Sequence, residues 1–243
     1  MKFKLIAPLL LALSSPAFSA VYSAGHGDIG IAYESGDFFF HYHLGSTATL
    51  DGLPVGNGPD GLEFEPSDIT VTVPLSTMRT MPNNAALITG TGVSAGASFW
   101  RLPQLEEAGV PFLGIATEEL VAADWAGGIT FSLGSVTSPS GNGNFSLWQT
   151  DEFGSPVFFY STNSPGSTVA SNVLTRPVGT HAHYNFGFSE PGTWVIELTV
   201  AGTHVPDGAL SSTRNFSFNV VPEPTSALLV SLGSLVLLRR RRA

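Results

Sequence analysis

The sequence predicts an all-β domain, a two-sheet β-sandwich of immunoglobulin-like kind. Three observations predict it. Short apolar stretches alternate with polar residues, as in Asp37-Phe38-Phe39-Phe40-His41-Tyr42-His43-Leu44. Turn clusters separate them, among them Ser35-Gly36, Ser140-Gly141-Asn142-Gly143, Ser164-Pro165-Gly166 and Pro191-Gly192. Helical periodicity is confined to one short segment, Thr117–Ala123. Many short strands between turns favour two packed sheets, with a closed barrel as the second arrangement.

Taken in order, the predicted strands are Asp28–Tyr33, Asp37–Leu44, Ile69–Val73, Ala97–Arg101 and Ile129–Leu133. They continue with Phe145–Trp148, Val157–Tyr160, Ala182–Phe188, Thr193–Val200 and Asn215–Val220. Thr117 reads as the N-cap of the one helix, with Glu118 and Glu119 in its first turn. Residues 51–68, rich in Gly, Pro and acids, read as a loop. No fixed-period repeat is present.

The two ends of the chain carry processing chemistry. Residues 1–19 combine Lys2 and Lys4, an apolar stretch from Leu5 to Leu13, and small residues at Ala17 and Ser19. These are the parts of a secretory signal peptide, with cleavage after Ser19. Its apolar run is far shorter than the roughly 20 residues of a membrane span. Residues 221–243 begin with Val221-Pro222-Glu223-Pro224. An uncharged stretch, Thr225–Leu238, follows, and then Arg239-Arg240-Arg241-Arg242. As a helix that stretch would be about 21 Å long, against about 30 Å of hydrocarbon. The arginines would hold its end on the cytoplasmic side.

This tail resembles the PEP-CTERM sorting signal. The resemblance implies an exosortase-type transpeptidase as partner, transient membrane contact, and a mature protein without a transmembrane helix. It places the domain, residues 20–220, at the cell surface, in the outer envelope or in the extracellular matrix.

Charge narrows the partners. With both ends removed, the domain keeps Arg79, Arg101, Arg176 and Arg214, no Lys, and 18 carboxylates, a net of −14. Such a surface repels phosphate backbones and anionic lipid, which excludes nucleic acid, and it attracts cations. The chain has no cysteine, and a domain of this size buries enough core without disulfides.

Five of the six histidines fall in three motifs: His26-Gly27-Asp28, His41-Tyr42-His43 and His181-Ala182-His183. Side chains alternate across a strand. Phe38, Phe40, Tyr42 and Leu44 therefore share one face, and His41 and His43 the other. Ala182, Tyr184, Phe186 and Phe188 likewise oppose His181, His183 and Asn185. Ile29, Ile31 and Tyr33 oppose Asp28, and His26 if the strand reaches back that far. Each His-x-His pair sets two rings roughly 7 Å apart at Cα on one side of a strand. That spacing suits nitrogens converging on one metal, at about 2.0–2.1 Å each for zinc. The expectation is one site of His41, His43, His181 and His183, with His26 and Asp28 as ligands or supports. Imidazole-rich sites suit Zn²⁺, Cu²⁺ or Ni²⁺. The plainer reading is separate surface histidines on a polar face. His204 has no partner nearby in sequence and reads as a loop residue.

A second resemblance covers residues 24–203. Gly25-His26-Gly27-Asp28-Ile29, His41-Tyr42-His43, Leu102-Pro103-Gln104, Pro111-Phe112-Leu113-Gly114, Asp151-Glu152-Phe153-Gly154 and the run from His181 to Trp194 are similar to the choice-of-anchor M domain. That is a family of bacterial surface-anchored domains. Phe186 stands where the family usually has Trp. The resemblance implies surface location and a β fold, and points toward metal binding.

Other motifs weigh less. Gly92-Val93-Ser94-Ala95-Gly96 matches the G-x-S-x-G elbow, but a strand rather than a helix is predicted after it. Glu106-Glu107 and Glu118-Glu119 read as solvated carboxylates. Asp51, Asn57, Asp60, Glu63, Glu65 and Asp68 offer oxygen ligands without the EF-hand spacing. The leading expectation is a non-catalytic, surface-sorted metal-binding protein. The alternatives are a carbohydrate- or matrix-polymer-binding sandwich, using Trp100, Trp125, Trp148 or Trp194 as stacking platforms, and a metal-dependent hydrolase with Asp28 as base.

Overall fold

A computed structural model describes residues 19–56, 61–163 and 172–223. Pro224, the arginines Arg239–Arg242, the signal segment up to residue 18 and the Ser164–Gly166 turn lie outside the described residues. Among the described residues no helix is long and apolar enough to cross a membrane.

Strands dominate. In chain order they are β1 (Ala20–Glu34), β2 (Asp37–Leu44), β3 (Thr49–Leu50), β4 (Leu53–Pro54), β5 (Leu62–Phe64), β6 (Ile69–Val73), β7 (Met78–Thr80), β8 (Ser98–Leu102) and β9 (Pro111–Ala116). They continue with β10 (Ile129–Thr137), β11 (Phe145–Thr150), β12 (Pro156–Ser161), β13 (Val173–Arg176), β14 (His181–His183), β15 (Asn185–Phe188), β16 (Gly192–His204) and β17 (Gly208–Val220). One α-helix, α1 (Ala85–Thr91), is present among the described residues. Asn84 caps it by accepting a hydrogen bond from Leu87 N, and Gly92 ends it at φ 70°.

The strands form two sheets. The smaller runs β12-β11-β15-β8-β7. The larger runs β13-β10-β16-β17-β6-β1-β2-β5, with β9 and β14 joined on through β1. Strand β1 changes partners along its length. Its first residues pair with β6 and β3, and its later residues pair with β9 and β2. Gly25, at φ 81°, sits at the change, where a Cβ would lie 2.1 Å from the Thr47 carbonyl oxygen.

The sheets share one apolar core. Phe38, Phe40, Tyr42 and Leu44 of β2 are all buried, as the alternation predicts. Phe186 and Phe188 of the smaller sheet meet Phe218 of β17, with ring centroids 6.1 and 5.3 Å apart. Tyr160 of β12 donates its hydroxyl to the Phe131 carbonyl of β10 at 2.8 Å. Each such buried aromatic contributes about 1.5–3 kcal/mol through burial.

Three expectations are corrected. Thr117–Ala123 is not a helix: Glu118 and Glu119 lie in a turn, followed by a 3₁₀ segment at Ala122–Asp124. The Thr117 hydroxyl is held by the carbonyls of Pro177 and Thr180, at 2.7 and 3.0 Å, rather than capping a helix. Ala182–Phe188 is two strands, not one: β14 pairs with β9 in the larger sheet, and β15 pairs with β11 and β8 in the smaller. Part of the 51–68 loop is strand, because β5 pairs with β2.

Candidate metal centre

The histidine motifs meet on the run β14-β9-β1-β2-β5, on the face away from the core. The register lines up one row across it: His183 beside Gly114, Gly114 beside Asp28, Asp28 beside His43, and His43 beside Glu63. Beside this row, His181 pairs with Ala116 and Gly30 with His41. Small residues at the strand centres hollow the face. A Cβ on Gly114 would lie 2.0 Å from Asp28 Oδ1, and one on Gly30 would lie 2.6 Å from His41 Nε2. The resulting cleft has a volume of about 320 Å³, and His26, Asp28, His43, Glu118 and Glu119 are on its walls.

The predicted residues converge as two groups rather than one. His26, His181 and His183 form the first, and His41, His43, Glu63 and Glu119 form the second. Within each group one ligand atom per residue lies within 4.8 Å of the others. The reason is strand order. Two strands, β9 and β1, stand between β14 and β2. At about 4.8 Å per strand they keep the two His-x-His pairs from sharing an ion.

The ring spacings of the first group are of the order an ion would need. Ring centroids are 5.0 Å apart for His26 and His183, 5.5 Å for His181 and His183, and 6.0 Å for His26 and His181. With zinc–nitrogen bonds of about 2.0–2.1 Å, a tetrahedral site puts two imidazole centroids roughly 5.2 Å apart. Carboxylates lie beside two of the rings. His181 Nδ1 lies 2.6 Å from Glu118 Oε1, and His26 Nε2 lies 3.3 Å from Asp28 Oδ2. A carboxylate beside a ring nitrogen orients the ring. His183 stacks on Phe112 with centroids 3.5 Å apart.

Electrostatics favour a neutral ring at His183. Burial, with the neighbouring His26 and His181 imidazoles, pushes the His183 pKa down to about 4. The ring is therefore neutral at neutral pH. Burial raises the Asp28 carboxyl above its ordinary range, partly opposed by His26 and His181. Asp28 Oδ1 and His183 Nδ1 are buried without hydrogen-bond partners. Such orphans are rare in folded proteins and mark places where an ion or water completes the bonding.

In the second group His41 is fully buried. Its Nε2 lies 2.7 Å from Glu119 Oε1 but off the line of a ring N–H, so neither ring nitrogen has an aligned partner. His43 Nδ1 lies 3.6 Å from the same oxygen. Burial pulls the His41 pKa down, but Glu119 and Glu63 outweigh it and hold the value above the ordinary one. The Glu119 carboxyl is held low by His41 and His43, against the opposing effect of burial.

No family model, no curated protein and no solved structure matches this chain. The site is therefore read from its own geometry.

Several residues do more than the sequence reading gave them. Glu118 and Glu119 are exposed, as read, but each also partners a histidine. Glu107 is not free either: it bridges Arg79 and Arg101 at 3.0 and 3.1 Å. His204 is no loop residue. It ends β16, is buried against Tyr33 and Trp125, and its Nδ1 is 2.6 Å from Asp207 Oδ2. All four tryptophans are buried, so none is a stacking platform. Gly92–Gly96 follows α1 and precedes β8, the reverse of the strand-turn-helix order of a nucleophile elbow. Asn57 and Asp60 lie outside the described residues. Asp51 accepts a hydrogen bond from Val21 N at 2.8 Å, and Glu63 belongs to the second histidine group.

Proposed function

We propose that this is an exported, surface-sorted, non-catalytic protein that binds a transition metal ion through His26, His181 and His183. The observation that carries the reading is the meeting of these three imidazoles, drawn from β1 and β14, over a glycine-hollowed strand centre. Three imidazoles suit Zn²⁺, Cu²⁺ or Ni²⁺, and a three-nitrogen face leaves a coordination position open for exchange. Asp28 and Glu118 serve as the supporting carboxylates. The acidic domain favours cation capture over binding of polyanions.

Export follows from the signal-peptide pattern of residues 1–19. Surface sorting follows from Pro222-Glu223-Pro224, the uncharged stretch and Arg239–Arg242, the pattern of an exosortase substrate. We place the chain with the choice-of-anchor M domains and read its two sheets as an immunoglobulin-like sandwich. The parallel pairings of β1 with β6 and β9 depart from an all-antiparallel sandwich.

The test is elemental analysis of the purified protein after dialysis against zinc. The wild type retains zinc, and the His181→Ala/His183→Ala variant retains at least one equivalent less. Equal metal content in the two proteins removes the reading.

A further inference from the structure

We propose that the same sheet face holds a second, separate metal site, made by His41, His43, Glu63 and Glu119. The inference rests on reading that face as metal-binding, but it uses different residues and stands or falls on its own variants.

The four ligand atoms lie within 4.8 Å of one another and come from three elements: β2, β5 and the turn after β9. Sheet register builds half of the site, since His43 and Glu63 are direct cross-strand partners. Strand alternation adds His41 on the same face. The turn fixed by the Thr117 hydroxyl delivers Glu119 over both rings.

A second observation points to a ligand. His41 is fully buried, both its ring nitrogens lack aligned partners, and the ring fits only because position 30 is glycine, where a Cβ would lie 2.6 Å from Nε2. His43 turns Nδ1 toward Glu119, while Gly61 packs near its Nε2. Two imidazoles and two carboxylates make a complete tetrahedral donor set for a divalent cation. No arginine among the described residues forms an ion pair with Glu63 or Glu119, and the charge paired with Glu119 is that of His41 and His43.

The two sites differ in kind. The three-imidazole set is half-exposed and one donor short, which suits exchange. The His₂Glu₂ set is complete and built on a buried ring, which suits retention. The substrate class is a divalent first-row transition cation, with the carboxylates favouring zinc or manganese over copper(I).

The experiment uses the whole exported protein, dialysed against zinc chloride and then metal-free buffer, with zinc counted per chain. The variants are wild type, Glu63→Gln/Glu119→Gln and His181→Ala/His183→Ala. Circular dichroism checks folding, and the single Glu119→Gln serves if the double variant does not fold. The expected result is two equivalents in the wild type and one in each variant, with the slower-released equivalent absent from the glutamine variant. One equivalent, lost with His181→Ala/His183→Ala and untouched by the glutamines, overturns this inference and leaves the proposed function standing. One equivalent lost only with the glutamines supports the second site and overturns the first. A single equivalent lost with either variant, or no zinc at all, overturns the two-site arrangement.

Discussion

Two buried histidines of the larger sheet show what a satisfied and an unsatisfied imidazole look like. His204, at the end of β16, has Asp207 on Nδ1 at 2.6 Å and lies against Tyr33 and Trp125. His41, in the middle of β2, is more deeply buried, and neither ring nitrogen has an aligned partner. Both stand beside a carboxylate. At His204 the carboxylate is four-square on the ring nitrogen, and nothing further is needed. At His41 the close carboxylate, Glu119 at 2.7 Å, is off the line of a ring N–H, and a second histidine and a second carboxylate face the same space. Burial alone therefore does not sort these two histidines, whereas partner geometry does.

The strongest way to break the contrast is to fill the cleft. Gly114→Ala sets a Cβ 2.0 Å from Asp28 Oδ1 and 3.1 Å from the Ala182 carbonyl oxygen. It displaces Asp28 and β14 together. Overpacking of this kind costs about 1–3 kcal/mol. The expected outcome is a lower denaturation midpoint together with loss of the zinc held by His26, His181 and His183.

A milder change sharpens it from the other side. His204→Ala removes a packed ring and its bond to Asp207, at a cost between about 0.5 and 3 kcal/mol. Zinc content stays at the wild-type value. A fall in zinc content would show that His204 belongs to the metal chemistry and would erase the contrast.

The smallest effect concerns acid. The Tyr33 hydroxyl and His204 hold the Asp207 carboxyl below its ordinary range. A depressed carboxyl stabilises the fold above its unfolded pKa, and that contribution is lost as pH falls through the folded value. Asp207→Asn therefore gives a shallower decline in stability on the acid side of pH 4, measured by denaturant titration, and an unchanged metal content.

Much of the fold was legible in the sequence. The period-two pattern of Phe38, Phe40, Tyr42 and Leu44 placed β2, oriented it, and set His41 and His43 on the opposite face. The same pattern correctly turned His181 and His183 away from the core. What could not be read was partnership. Which histidines meet depends on the order β14-β9-β1-β2, and β9 pairs with β1 in parallel across more than 80 residues of chain. Glu118 and Glu119 were missed because Thr117–Ala123 has local helix signals. Its turn is imposed by the carbonyls of Pro177 and Thr180, distant in sequence. The break at Tyr184, where the chain leaves one sheet for the other, keeps the alternation intact and so leaves no local mark. Strand pairing is a tertiary outcome, and alternation reports the face of a residue without its neighbours.

Zinc K-edge X-ray absorption on the loaded protein distinguishes imidazole nitrogen from oxygen around the metal. The expected first shell lies at about 2.0–2.1 Å with the outer-shell scattering of histidine rings, weakened in His181→Ala/His183→Ala. A first shell of oxygen alone, with no ring scattering and no response to those substitutions, would contradict imidazole ligation.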